Sequence, residues 1–398
     1  MRQFLLLPLT FFLLSCKKEN EESSSNQFEA SEVITLTEAQ SEELLKFCND
    51  LATNTSEGDA KAVSRAFNLH EFGRRAVAGY EIPAEDQNQF LSGFAQGINK
   101  REGGLGWAML GQTVEFIRLN TFEEMEVPLF RILIAEGGVE YAYFLIQPND
   151  IGELKIIDTW SLSSGEWASI STRRVVYPML KSLLGSKWGK IANSAKNKKA
   201  EAELELLKSF NEAYASGDTA GIATAYKNLP SKLQKQRYLW IIYLSSLGED
   251  QEAYLAEVDK YAAAFPLDAS AAFMMIDAEY MRQNWTGARE KIDIIESKIG
   301  ADEYLDILRA NIHMEEGNHP AVIEMTEKVI KTAPHLEDAW WSLLISLSEM
   351  KKHSKIADTL SAYHQQFGIR LTADDINQDI FGAFINSPEG KAYFNSEE

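Results

Sequence analysis

Two cysteines, six histidines and a few carboxylates in apolar surroundings are the residues of this 398-residue chain whose types and spacing could do chemistry. Cys16 ends an apolar run, residues 4–14, and charge and serine follow it at once in "SCKKENEESSS". Cys48 lies in "LLKFCND", on the apolar side of a helical pattern, where a thiol is usually buried and inert. If Cys16 is modified, Cys48 has no partner, so a disulfide framework is excluded. Asp158 stands between apolar strand residues in "LKIIDTW", where burial would raise its pKa toward that of a general base. Tyr141, Tyr143 and Trp160 could line a pocket beside it. The competing expectation is that Asp158 caps a strand end or pairs with Arg131. The glycines of "REGGLGW" neither follow a strand nor open a helix, as a phosphate loop would require. His319 and His353 hold equivalent turn positions but have no third ligand at fixed spacing, so no metal site is expected. No cofactor motif and no paired signature for nucleophilic hydrolysis stands out. Asp158 is therefore a weak catalytic candidate, and a non-enzymatic role is the leading expectation.

The elements that must position these residues divide the chain. Residues 4–14 are too few for a transmembrane helix, which needs about 20 apolar residues. After Met1 and Arg2 they match the apolar region of a secretory signal peptide. The closing Leu13-Leu14-Ser15-Cys16 resembles a bacterial lipobox, although Leu14 departs from the small residue usual at that place. The resemblance implies a diacylglycerol on Cys16 and cleavage before it, leaving residues 1–15 as the signal peptide. Residues 16–35 then read as a solvated tether, too polar to bury a core. Lys17 stands where an aspartate would resemble an inner-membrane retention signal. The expected location is thus the cell envelope, at an outer membrane, facing the periplasm or the surface.

The net charge of −20 argues against nucleic acid as a partner. The charge is uneven: residues 167–200 hold eight lysines and arginines and no acidic residue, whereas residues 201–398 hold 18 basic and 33 acidic residues. Residues 185–200 read as a basic hinge that could dock on the acidic repeats of the same chain, bind an acidic partner or lie against lipid headgroups.

Residues 36–184 carry helical patterns first: residues 37–53, with Leu44, Leu45, Phe47 and Leu51 on the apolar side, then two shorter ones. Period-2 patterns follow at residues 107–119, 127–135, 139–147 and 154–161, with turn signals at Gly137-Gly138 and Asn149–Gly152. Short links imply an antiparallel meander, and the order implies an α+β domain. It loosely resembles the cystatin-like or nuclear-transport-factor-two-like cone. That likeness would imply a small-molecule or isomerase-type site as the alternative function.

In the second half, Pro266, Gly300, Pro334 and Gly368 recur every 34 residues, each closing a pair of helical patterns. Ala288, Val322 and Ile356 fall at equivalent places. This looks like the tetratricopeptide repeat, which implies an all-α solenoid over residues 201–368 with capping helices at 369–398. The cap should open with Thr372 as N-cap, with Asp374 and Asp375 in its first turn. In that family the first helix of each unit lines a peptide-binding groove. Carried over, the groove residues are Leu239, Tyr243, Phe273, Asp277, Tyr280, Tyr304, Ile307, Asn311, Met314, Trp341 and Ile345. Only Asn311 would suit a clamp for a peptide C-terminus, so the expectation is a groove for a hydrophobic peptide or helix. Trp341 is the chief candidate, because Trp340 beside it already fills the core place. The expected function is that of a lipid-anchored protein-binding adaptor.

Overall fold

The computed structural model describes residues 38–396 except 81, 101–102, 136, 175–193 and 249. The expected signal peptide, Cys16, the tether and hinge residues 185–193 lie outside the described residues. The chain forms two compact units, Met1–Ala264 and Phe265–Glu398. An α+β region and then an all-α region succeed one another along it.

In the first unit, α1 (Glu38–Ser56) is followed by α2 (Ala60–Ala66), α3 (Leu69–Ala76) and α4 (Ala84–Asn99). A four-stranded antiparallel meander follows: β1 (Thr113–Phe122), β2 (Met125–Leu133), β3 (Val139–Pro148) and β4 (Leu154–Ser161). Helix α1 turns Leu44, Cys48, Leu51 and Ala52 onto one sheet face, where Phe130, Ile132, Ala142, Phe144 and Ile156 complete the core. Leu45, expected on that side, is exposed, because i, i+4, i+7 spacing from Leu44 selects Cys48 and Leu51 instead. Burial pushes the Cys48 thiol up to about 12, so it stays protonated.

The first strand begins six residues later than its pattern suggests. Trp107 lies in a 3-10 helix, Gly104–Met109, opened by Gly103 in the left-handed region. The β1–β2 turn also lacked a signal, since Glu123 and Glu124 both take positive φ, 50° and 66°. Glu123 is held there by the Trp167 indole, which donates to its Oε2 at 2.9 Å. The second sheet face carries Phe122, Tyr143 and Trp160 in mutual ring contact, and Trp167, beyond β4, sits edge-on to Phe122.

The same unit continues with α5 (Ser194–Ser216), α6 (Thr219–Asn228), a short α7 (Ser231–Gln234), α8 (Arg237–Ser246) and α9 (Gln251–Ala264). Arg237 donates from Nη1 to the Gly165 carbonyl at 2.7 Å, tying α8 to the loop after β4. The division between compact units falls at 264/265, after α9.

The second unit is all-α, built of paired helices. Its first helices are α10 (Ala269–Met281), α12 (Glu303–Glu315) and α14 (Glu337–Glu349). Each is followed by a second helix: α11 (Trp285–Ile299), α13 (His319–Thr332) and α15 (His353–Phe367). Starts of equivalent helices differ by 34 residues throughout. Ala288, Val322 and Ile356 are fully buried at the places the period assigns them. The cap consists of α16 (Gln378–Ile385) and α17 (Pro388–Asn395). Its start differs from expectation: Asn377 is the N-cap, while Thr372 donates from its backbone N–H and hydroxyl to Asp375 in a separate turn. A Cβ at Gly390 would overlap the Phe384 carbonyl, so α17 needs glycine there to pack on α16.

Each hairpin turn places one residue at positive φ: Gln283 (57°), Gly317 (76°) and Lys351 (54°). The next residue caps the second helix. Asn284 and Asn318 accept backbone N–H bonds through their side chains, whereas Lys352 offers no side-chain cap. Lys351 and Lys352 thus bear both costs in one turn. Replacing them together, Lys351→Gly with Lys352→Asn, should stabilise the second unit by about 1–2 kcal/mol. A urea midpoint left where it was would refute this account of the turn.

Candidate functional site: buried carboxylates and the first-helix face

Two places concentrate unusual side chains, one in each unit. In the first unit the meander delivers carboxylates into its interior. Asp158 leaves β4 on the aromatic face, opposite Leu145, and its side chain is fully buried. Four donors reach it. The Ser169 backbone N–H (3.0 Å) and the Thr159 N–H (2.9 Å) bind Oδ1, while the Ser169 hydroxyl (2.5 Å) and Arg75 Nε (3.0 Å) bind Oδ2. Burial pushes the carboxyl above the ordinary aspartate range, and Arg75 with Ser169 pulls it back.

This arrangement corrects both expectations for the residue. Its partner is Arg75 on α3, because Arg131 is taken by Glu115 in a cross-strand pair at 2.6 Å. A general base must also aim a free lone pair at a substrate. Here both oxygens are committed to the helical start at residues 168–174 and to α3, and the surrounding rings are packed on one another. The geometry is that of a clamp.

Glu140 is a second buried carboxylate and was not singled out from sequence, although the alternation of "VEYAYFLI" places it with Ala142 and Phe144 on the core side. It accepts N–H bonds from Tyr141 (2.8 Å) and Ser163 (3.2 Å). Burial outweighs these bonds and raises its carboxyl to about 7. Glu166, in the same loop, pairs with Arg174 and accepts from the Ser171 hydroxyl at 2.7 Å. The loop joining β4 to the helical segment is thus held by carboxylates at both ends.

The second place is the face built by the first helices of the second unit. Bonds across it join successive helices. Tyr280 on α10 donates its hydroxyl to Glu315 on α12. Tyr304 donates to Asp338 Oδ2 at 2.6 Å, and Ser342 donates to Asn311 Oδ1 at 2.9 Å, both linking α12 to α14. Trp341 lies half-buried on α14 and donates Nε1 to Glu337 Oε1 at 3.0 Å, the carboxylate that also binds the Tyr363 hydroxyl. Trp340 beside it is buried, donates to the Pro334 carbonyl at 2.8 Å and sits edge-on to Tyr363 and Phe367.

Of the expected groove residues, Phe273, Asp277, Asn311, Met314, Trp341 and Ile345 are half-buried and Tyr280 is 37% exposed, all in this unit. Tyr304 and Ile307 are buried and belong to the packing between helices. Leu239 and Tyr243 are likewise buried in the first unit, Tyr243 stacked on Tyr226 at 4.1 Å. These four therefore cannot offer their side chains to a partner. The 34-residue register assigns equivalent positions correctly, but position alone does not say whether a neighbouring helix covers the residue.

Asp277 differs from every other carboxylate on this face. Burial alone raises it to about 7, and no described residue donates a hydrogen bond to it or pairs with it. Glu315, Glu337 and Asp338 each hold a tyrosine hydroxyl.

His319 and His353 have separate surroundings. His319 Nδ1 lies 3.3 Å from the Ser346 hydroxyl, and His353 packs edge-on to Phe384 of the cap. Among the described residues no cluster of His, Cys, Asp or Glu could hold a metal ion, and no helix is long and apolar enough to cross a membrane.

Models of known protein families find no match in this chain. Curated proteins find none either. Among solved structures, the crystal structure of MamA protein is similar over 50% of this chain and 98% of that one, at 14% identity and a TM-score of 0.32.

Proposed function

We propose that this chain is a lipid-anchored envelope protein that binds another protein through the first-helix face of its second unit. The observation that carries the reading is the run of half-buried Phe273, Asn311, Met314, Trp341 and Ile345 beside exposed Tyr280. Such a face, apolar and aromatic with polar groups between, suits a peptide or helix laid across successive units. The lipobox-like Leu13-Leu14-Ser15-Cys16 supports the anchor, and an acyl-cysteine with further chains would hold the protein firmly at a membrane. Lys17 after the cysteine favours the outer membrane.

The second reading, a small-molecule or isomerase-type site in a cystatin-like cone, draws on the order of helices and meander alone. Against it, Asp158, its one candidate base, already accepts four hydrogen bonds.

Both parts of the proposal can be tested in the native membrane. A palmitate analogue fed to cells should label the chain and should not label Cys16→Ala. A photo-crosslinking amino acid placed at Trp341 should give one discrete adduct, while the same group at Lys355, on a second helix, gives none. Equal adducts at the two positions, or none at either, would reject the binding face.

A further inference from the structure

The first-helix face is strongly one-signed. Helices α10, α12 and α14 carry eight aspartates and glutamates and a single lysine or arginine, Arg309. Arg309 is neutralised from the side, by Asp293, Glu296 and Asp306. The other cations of the three hairpins lie in the turns, as Arg282, Lys351 and Lys352 do, or on second helices, where Arg289, Lys328 and Lys355 pair with Glu316, Asp306 and Glu327. The face therefore has no cation of its own to offer a carboxylate.

Three of its carboxylates, Glu315, Glu337 and Asp338, hold tyrosine hydroxyls instead. Asp277 has no such partner among the described residues. It sits one turn beyond Phe273 and one turn before Tyr280 on α10. Asn311 holds the equivalent place on α12, its carbonyl oxygen already engaged by Ser342 and its amide left to donate. A half-buried carboxylate without a partner costs free energy unless a charge or a donor meets it. A protein retains that cost most readily where a ligand supplies the missing group.

Resting on the binding reading above, we infer that the partner is an extended segment that presents a lysine or arginine to Asp277, with apolar residues beside it on Phe273, Tyr280 and Met314. The cation's stem lies along the aromatic rings and its head reaches the carboxylate, while the Asn311 amide is free to donate to a backbone carbonyl of the segment. This is the reverse of a clamp for peptide carboxylates, which requires cations that this face lacks.

Charge on neighbouring elements does not alter the assignment. On α10 itself Glu279 is held by Asn284 and Arg282. On α12 Glu315 is held by Tyr280, Arg309 by its three carboxylates, and His313 by Glu316. On α11 Asp293 and Glu296 face Arg309, and Arg289 faces Glu316. Burial is the whole cause of the upward displacement of Asp277.

The test uses the full chain and a random peptide library displayed on phage, selected in parallel on wild type and Asp277→Asn at pH 8. Wild type should enrich peptides with lysine or arginine at one fixed position among apolar residues. The variant should keep the apolar positions and lose the basic one. Affinity of an enriched basic peptide for wild type should fall about tenfold from pH 8 to pH 6, as a carboxyl near 7 gains its proton, and stay level for Asp277→Asn. The isosteric variant should melt no lower than wild type, and a lower melting point would mean that the carboxylate has a structural partner, overturning the inference. Apolar consensus peptides without a basic position in either protein would overturn it while leaving the binding face intact. No consensus in either protein would reject both.

Discussion

Asp158→Ala is expected to destabilise the first unit by about 3–5 kcal/mol, seen as a lower urea midpoint, because it removes a buried acceptor that holds four donors rather than because it empties a site. The carboxylate receives two backbone N–H groups, a serine hydroxyl and Arg75 Nε, and its side chain is fully buried. Arg75 is itself only 16% exposed, so water cannot replace what the substitution removes. Loss of Asp158 also leaves the Ser169 N–H, at the start of the helical segment 168–174, without its acceptor. Asp158→Asn keeps the shape but turns an amide toward Arg75, and should fall between wild type and alanine. If alanine melted within a few tenths of a kcal/mol of wild type, the clamp would be refuted and a catalytic or ligand-facing role for Asp158 would regain its ground.

Glu140 should make the same unit sensitive to pH in an unusual direction. Its ordinary carboxyl value is 4.5 and burial raises it to about 7 in the folded chain. The folded state therefore holds this proton more tightly than the unfolded state, so stability falls as pH rises from 4.5 through 7. At about 1.4 kcal/mol for each pH step, the loss is about 3 kcal/mol. Below pH 4.5 both states are protonated and the contribution is whole. Glu140→Gln mimics the protonated form. It should match wild type near pH 4.5, exceed it at pH 8, and reduce the fall between them by about 3 kcal/mol. Urea midpoints at the two pH values measure this directly. Wild-type and variant midpoints that ran parallel from pH 4.5 to 8 would show that the carboxylate is ionised in the folded chain throughout.

The repeats were legible because their signals are local and recur. A proline or glycine closes each hairpin, and the buried positions Ala288, Val322 and Ile356 return at the same interval. The turns at Gln283 and Lys351 were not legible in their own residues, since neither type prefers positive φ. Only Gly317 and the period reveal them. The meander was read in outline, yet its first strand was placed early because "GWAML" is apolar enough for a strand, while the glycines before it favour a 3-10 turn. The turn at Glu123-Glu124 went unseen for want of glycine or asparagine. At the first-helix face, helical spacing named the stripe and could not separate Tyr304 and Ile307, which are buried, from Phe273 and Trp341, which are half-buried. The partners of Asp158 depend on residues as distant as Arg75 and Ser169, and the isolation of Asp277 on the lack of any among the described residues, and no short-range pattern encodes either.

Equal spacing of the helices in the second unit makes the reach of its first-helix face a matter of copy number. Ala269, Glu303 and Glu337 open equivalent helices, and each hands its tyrosine, carboxylate or amide to the next one along. A duplication of 34 residues in this region would insert one more segment whose ends already match its neighbours, lengthening the surface without disturbing a cap or a cross-helix bond. An insertion of another length would turn the following helices out of phase, and the stripe would break at that point. Evolution of a longer or shorter recognition surface here is thus quantised, in steps of one hairpin.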